Sequence, residues 1–260
     1  MVSELNALFR KRIGIAQDEP ITFETLASVL EKTARAIPFE NLCVIAGQTR
    51  DITRESLLDK ILGKNEGGLC YELNPLFYFF LLENGFQAVL TRGIVYKQAT
   101  QEYQSIGRTH VTILLTHEGR TYLVDTGFGA NLPLKPVPLT GETVTSANGE
   151  FRVTKASCEH GDHVLEVKLK HKDTAWRIGY AFDSARPIAD VSECNEIQTV
   201  IREHTESPFN KGPLVTRLTE AGNVTLTETT FTKWENGVVT KEGIDAVRFR
   251  ELLGEWFGMS

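Results

Sequence analysis

Near Phe86 the spacing of apolar residues changes from a helical repeat to a repeat of two. That change confines the chain to folds in which helices come first and an antiparallel sheet follows. Before it, Phe23, Leu26, Leu30, Thr33, Ala34 and Ile37 recur at helical spacing, from a capping-like start at Ile21-Thr22-Phe23-Glu24 until Pro38 interrupts. A second helix is predicted from Thr53 to Leu62, stopping near Gly63, and a third through Leu76 to Leu82, ending at Asn84-Gly85. After it, strands are predicted at 89–96, 110–116, 121–125, 151–156, 164–169 and 176–182, with the proline-rich run 133–138 as a surface loop. A short helix near 192–204, strands at 214–218, 223–228 and 231–235, and an amphipathic helix from Asp245 to Phe257 close the chain. Val247, Phe249, Leu252, Leu253 and Trp256 form the apolar face of that last helix. The class is α+β.

The 260 residues suffice for two or three packed sub-domains. No apolar run approaches the roughly 20 residues that span a bilayer. The first residues carry no basic-then-apolar leader pattern, so secretion is not expected. Four cysteines, at 43, 70, 158 and 194, form no CxxC pair, which points to reduced thiols in a cytoplasm. A net charge of −6 argues against nucleic acid as a partner. The one basic run, Arg10-Lys11-Arg12, reads as a solvated helix face. Cys158-x-His160-x-x-His163 has an odd spacing for zinc, and Gly161-Asp162 reads as a turn instead; no metal is expected.

Two stretches carry possible chemistry. His110–Thr116 and Thr121–Asp125 form a hairpin with Glu118-Gly119 at its tip. If His117 faces Arg120, stepping back along both strands sets His110 opposite Gly127. Asp125 is then the diagonal neighbour of His110 on the same face, about 7–8 Å away at the backbone. An acid there would fix the histidine tautomer and stabilise its imidazolium. In the second stretch, Glu66-Gly67-Gly68-Leu69 is a glycine turn running into an apolar helix at Cys70. The glycines allow a sharp bend and leave space for a ligand. A thiol at a helix start feels free N–H groups and the positive end of the dipole. Pro75 would kink or separate the first turn of that helix. Each piece alone also fits a purely structural role, and the order Cys, His, Asp does not by itself name a reaction.

At these residues the sequence resembles the arylamine N-acetyltransferase family. The family's Arg-Gly-Gly-x-Cys-x-Glu-x-Asn element stands here as Glu66-Gly67-Gly68-Leu69-Cys70-Tyr71-Glu72-Leu73-Asn74. Ile37-Pro38-Phe39-Glu40-Asn41-Leu42, Thr109-His110-Val111 and Val124-Asp125-Thr126-Gly127-Phe128-Gly129 match three further elements. Ser207-Pro208-Phe209-Asn210, with Val215-Thr216-Arg217-Leu218 and Gly222, resembles the start of the family's third domain. The resemblance implies an N-terminal helical bundle (1–86), a central antiparallel β-barrel-like domain (87–195) and an interdomain segment with an α/β lid (196–260). It also implies a cysteine-protease-like triad of Cys70, His110 and Asp125. The implied reaction is ping-pong: Cys70 takes an acetyl group from acetyl-coenzyme A, and an arylamine, arylhydrazine or N-hydroxyarylamine receives it. The same comparison points to Phe39, Val95 and Phe128 as an apolar wall for the amine and to Thr109, Gly129 and Phe209 as contacts for coenzyme A. Ordinary core packing accounts equally well for the three phenylalanines. Neither a metal, a nucleic acid nor a membrane is implied.

The chain departs from the pattern at Glu66, where the family has an arginine expected to pair with the glutamate that is here Glu40. Two carboxylates would repel there unless a cation such as Lys64 or an arginine intervenes, or one stays protonated. Leu30 and Thr33 stand where relatives often carry histidines. Competing readings are an amide synthase or transglutaminase-like acyltransferase with another acyl donor, and a catalytically silent relative binding coenzyme A or an aromatic ligand.

Overall fold

The computed structural model describes residues 3–259; of Ser157 and Cys158 it describes the backbone alone. The Cys158 side chain considered above for zinc therefore lies outside the described residues. Helix α1 (Glu4–Ile13) starts at Ser3, whose hydroxyl accepts the Asn6 N–H at 3.1 Å. It ends at Gly14 in the left-handed conformation, φ 69°. Arg10 is turned inward, where it donates to Asn6, to the carbonyls of Ala16 and Glu19, and to Asn84. The basic run is thus only in part a solvated face: Lys11 is exposed, whereas Arg10 is buried and satisfies the two carbonyls. Helix α2 (Leu26–Ala36) begins after a turn at 22–25 and leads to the two-residue strand β1 (Phe39–Glu40) and the short helix α3 (Leu42–Ile45). Helix α4 (Arg54–Leu57) widens into a π-helical turn over Leu58–Gly63. Helix α5 (Cys70–Glu83) follows.

Pro75 does not divide α5, which runs unbroken from Cys70. The lost hydrogen bond is outweighed by burial, since Tyr71, Leu73, Leu76, Phe77, Phe80 and Leu81 are all enclosed. One face of α5 packs on Phe9 of α1; another packs on Val111, Ile113 and Leu115 of the sheet behind it.

That sheet is antiparallel throughout. Its strands are β2 (Gln87–Lys97), β3 (Glu102–Tyr103), β4 (His110–His117), β5 (Arg120–Val124), β6 (Val137–Pro138), β7 (Val144–Ser146), β8 (Gly149–Cys158), β9 (Gly161–Leu169) and β10 (Arg177–Pro187). The order is β6-β5-β4-β2-β10-β9-β8-β7, with β3 paired to β2. Strand β6 returns against β8, so the sheet nearly closes into a barrel around Leu123, Val137, Phe151, Leu165, Tyr180 and Phe182. The proline-rich run is therefore not simply a surface loop. Val137 is buried in the barrel, and Pro138 pairs with Tyr122 on an edge strand, where a missing N–H is tolerated.

Helix α6 (Cys194–Glu203) crosses back to the helical region. Strands β11 (Leu214–Leu218), β12 (Gly222–Thr227), β13 (Thr230–Glu235) and β14 (Val238–Gly243) then form a meander covered by helix α7 (Ala246–Phe257). Leu252, Leu253 and Phe257 fill the α7 face, whereas Val247, expected there, is 57% exposed because it sits in the first turn beyond the edge of the packing. Strand β1 joins this meander, with Phe39 opposite Thr216 and Glu40 opposite Val215. It also bridges to Gly68 beside the start of α5. The helical region and the C-terminal sheet therefore meet at Cys70.

Candidate active site

Three chain segments converge on the start of α5. Cys70 is its first helical residue, and the Glu72 carboxylate reaches back to accept the Leu69 N–H at 2.9 Å. The two preceding glycines do not make room for a ligand. A Cβ on Gly67 would lie 2.1 Å from the Pro38 carbonyl oxygen, and one on Gly68 would lie 2.9 Å from the Glu72 carboxylate. That space is taken by protein: Gly68 N–H donates to Pro38, and Glu40 N–H donates to Gly68.

The hairpin register is as expected, with His117 opposite Arg120 and Ile113 opposite Val124, and Glu118 and Gly119 in left-handed conformations at the tip. The pairing does not extend to His110 and Gly127. β5 ends at Val124, so the β5 edge of His110 is left without a strand partner while its other edge pairs with Gly93 of β2, and Gly127 swings against the nucleophile helix. A Cβ on Gly127 would sit 2.6 Å from Cys70 Cα.

His110 and Asp125 are buried and joined through Nε2 and Oδ2 at 2.7 Å. The Cys70 sulfur lies 3.5 Å from the Thr109 carbonyl oxygen and close enough to His110 to act on its charge. Burial alone would favour a neutral imidazole. The Asp125 charge, then the Cys70 side chain, outweigh it and raise His110 to about 10. Burial likewise opposes charge on Asp125. His110 and hydrogen bonds from His110, Asn74 and the Gly127 N–H hold it below the usual carboxylate range.

Asn74 and Tyr180 complete the carboxylate's surroundings, and neither had been assigned a role from sequence. Asn74 Nδ2 donates to Asp125 Oδ1 at 2.9 Å and to the Val111 carbonyl at 2.7 Å, while its Oδ1 accepts the Thr126 N–H at 2.9 Å. It lies one turn beyond Cys70 on the same helical face, a spacing that could have marked it. Tyr180 Oη donates to Asp125 Oδ2 at 2.7 Å from β10, three places along the sheet from the end of β5 that carries Asp125. Gly93 of β2 lies between the Tyr180 and His110 rings, and a Cβ there would come within 3.1 Å of the Tyr180 ring. Nothing local in the sequence signals such a contact.

In front of the sulfur lies a cavity of about 80 Å³ lined by Cys70, His110 and Thr109 together with Phe39, Val95, Phe128 and Phe209. All three residues expected at an apolar wall are brought together there, as are two of the three expected at coenzyme A. Gly129 is not among its lining residues; it lies next to Phe39 and Thr216. Leu69, Tyr71 and Gly127, from the motifs quoted above, also line the cavity, as do Gln104 and Ile201, which no sequence motif marks.

The carboxylates around Glu66 are neutralised by neither Lys64 nor an arginine. Lys64 pairs with Asp59 at 3.2 Å. The cation facing Glu40 is Lys60, with Nζ 3.2 Å from Glu40 Oε1 and 2.6 Å from Glu72 Oε1. Glu66 turns aside toward Cys43, whose sulfur lies 3.8 Å from Oε2. Burial alone would strip Lys60 of its proton, but the two carboxylates hold it above the ordinary lysine value. Among the described residues no group of three or more His, Cys, Asp or Glu could hold a metal ion.

A family model described as N-acetyltransferase matches residues 22–260. An uncharacterized acetyltransferase of Bacillus subtilis (strain 168) is 40% identical over 248 residues, covering 95% of each chain. Arylamine N-acetyltransferase C from Bacillus anthracis is 39% identical, with a TM-score of 0.95 over 100% of both chains. The NAT3 arylamine N-acetyltransferase from Bacillus cereus is 38% identical, with a TM-score of 0.94 over 99% of both, and is described as having a unique Cys-His-Glu catalytic triad. In the present chain the acid on the histidine is an aspartate. From residue 22 onward in sequence, and over its whole length in fold, the chain belongs to the arylamine N-acetyltransferase family of acyl-CoA-dependent transferases.

Proposed function

We propose that this chain moves an acetyl group from acetyl-CoA to aromatic amines, hydrazines or N-hydroxyarylamines through a thioester on Cys70. The observation that carries the reading is the Cys70, His110, Asp125 arrangement, opening on an apolar cavity walled by Phe39, Val95 and Phe128. With His110 raised to about 10, the ring holds its proton near neutrality, and a cationic imidazole favours the thiolate beside it. In the first half-reaction the Cys70 sulfur attacks the thioester carbonyl, the bond to the CoA sulfur breaks, and His110 supplies a proton to the departing thiol. In the second, the amine nitrogen attacks the acyl-enzyme, the bond to Cys70 breaks, and His110 takes the proton that the amine releases. Asp125 holds the ring in the orientation both steps need.

Thr109 and Phe209 at the cavity, with Gly129 beside Phe39, are the residues assigned to coenzyme A on this reading. The nucleophile belongs to 1–86, the histidine and acid to 87–195, and the covering segment to 196–260. A reducing cytoplasm and the modification of foreign aromatic amines suit the same reading. Its support is that Cys43, Cys70 and Cys194 are free thiols. No described helix is long and apolar enough to cross a membrane.

Steady-state release of CoA from acetyl-CoA, with and without an arylamine, tests the proposal. Amine-dependent release with parallel double-reciprocal lines is expected. Release that ignores the amine would indicate a hydrolase, and no release would move the assignment to another acyl donor.

A further inference from the structure

Lys60 stands in none of the segments that carry the proposed chemistry, yet it is buried directly behind them. Its Nζ lies 2.6 Å from Glu72 Oε1 and 3.2 Å from Glu40 Oε1, and its side chain is 11% exposed. Each carboxylate has a second task. Glu72 Oε2 holds the Leu69 N–H, the residue before Cys70, and Glu40 Oε2 accepts the Leu42 N–H at 2.5 Å. The Glu40 backbone is bonded to Gly68 on one side and paired with Val215 of β11 on the other. One ammonium thus ties together the π-helical turn that carries it, the first turn of the nucleophile helix and the strand shared with the C-terminal sheet. The turn is held from beneath as well, with Glu66 N–H donating to the Lys60 carbonyl at 3.2 Å. Two buried carboxylates at this distance from one cation cannot both stay charged without it. Glu72 Oε1 accepts a hydrogen bond from the ammonium, whereas Glu40 Oε1 makes no hydrogen bond and has the ammonium as its charge partner.

We propose that Lys60 is a positioning residue for acyl transfer: its ammonium, clamped between Glu72 and Glu40, fixes the Gly67–Leu69 turn so that the Cys70 sulfur faces His110. This rests on Cys70 being the nucleophile. The charged and titratable groups around the clamp are Glu40, Glu72, whose carboxyl burial pushes up, Glu66, the Tyr71 phenol, and the Cys43 thiol, pushed up to about 11 by burial.

The test compares Lys60→Met, which keeps the length and apolar stem, with Lys60→Arg, which keeps the charge. Three quantities are read: the melting temperature, the single-turnover rate of Cys70 acetylation at saturating acetyl-CoA, and the pH profile of Cys70 alkylation by iodoacetamide, followed at peptide level. Lys60→Met is expected to slow acetylation by about ten- to a hundredfold, with KM for acetyl-CoA nearly unchanged. Its alkylation profile is expected to depart from that of the wild type. Lys60→Arg is expected to retain the wild-type inflection and most of the rate. A lowered melting temperature with rate and inflection unmoved in the folded protein would overturn the proposal and leave Lys60 a packing residue. If Lys60→Met does not fold, Glu72→Gln removes one arm of the clamp while keeping an acceptor for the Leu69 N–H. The same directions are expected there, and no change in either readout would overturn the proposal. Should wild-type Cys70 acquire no acetyl group, the acetyl-transfer reading fails, while the alkylation profile still reports whether Lys60 orients the thiol.

Discussion

Asp125 accepts hydrogen bonds from His110, Tyr180, Asn74 and the Gly127 N–H, and these donors explain both its charge and its fixed position. Replacing it with Asn leaves the shape but removes the charge that keeps His110 protonated. Acetyl transfer in Asp125→Asn should fall by about a hundredfold or more, measured as kcat with a saturating arylamine. The pair also makes stability depend on pH. His110 titrates at about 10 when folded and near 6.5 when not, so its contribution is complete below about 6.5 and is lost as pH rises through about 10. Asp125 is depressed, so its contribution is present above the ordinary carboxylate value and is lost as pH falls through the lowered one. Urea unfolding of the wild type should therefore weaken between pH 7 and pH 10 by up to about 1 kcal/mol per pH unit, and that slope should flatten in Asp125→Asn. Tyr180→Phe removes one donor to the carboxylate and should cost about 1 kcal/mol of stability, with a several-fold loss of kcat.

At the scale of elements, what could be read from the sequence was whatever depends on local repeat. The change of period at Phe86 separates the helices from the barrel, and the Glu118-Gly119 tip sets a register that holds from His117 back to Ile113. Beyond Ile113 the prediction failed, because a close approach between segments, Gly127 against Cys70, took over from strand pairing. Pro75 failed as a breaker for a related reason, since the first two turns of the helix, buried from Cys70 to Phe77, depend on tertiary packing more than on one hydrogen bond. Tyr180 and Lys60 were illegible because their partners are 55 and 12 residues away and carry no shared motif. The Gly127 contact makes a sharp prediction. In Gly127→Ala the new methyl must displace the start of α5, which should cost about 1–3 kcal/mol and most of the acetylation rate; a thermal melt and a single-turnover assay would measure the two effects.

Across the whole molecule, the C-terminal meander is fastened to the helices near the site. Buried Asn41 donates to the carbonyls of Phe209 and Gly212, both at 2.9 Å, and accepts the Leu214 N–H at 2.7 Å. Those bonds set the path of 209–214 and so hold Phe209 at the cavity, where its ring meets Phe39 edge-on. Asn41→Ala should destabilise the chain by about 2–4 kcal/mol and raise KM for acetyl-CoA more than it lowers kcat. Faster amide exchange confined to 207–214 would accompany it, whereas uniform loss of protection would show that Asn41 supports the core rather than the covering segment.

The most direct test of the central claim, that Cys70 carries the acyl group between donor and amine, is an intact-protein mass spectrum taken just after mixing with acetyl-CoA, for wild type and Cys70→Ser. One added acetyl group is expected on the wild type, none on the mutant, and its loss when an arylamine is added. An unmodified wild-type chain with its thiol shown to be free, or equal acetylation of the mutant, would contradict it.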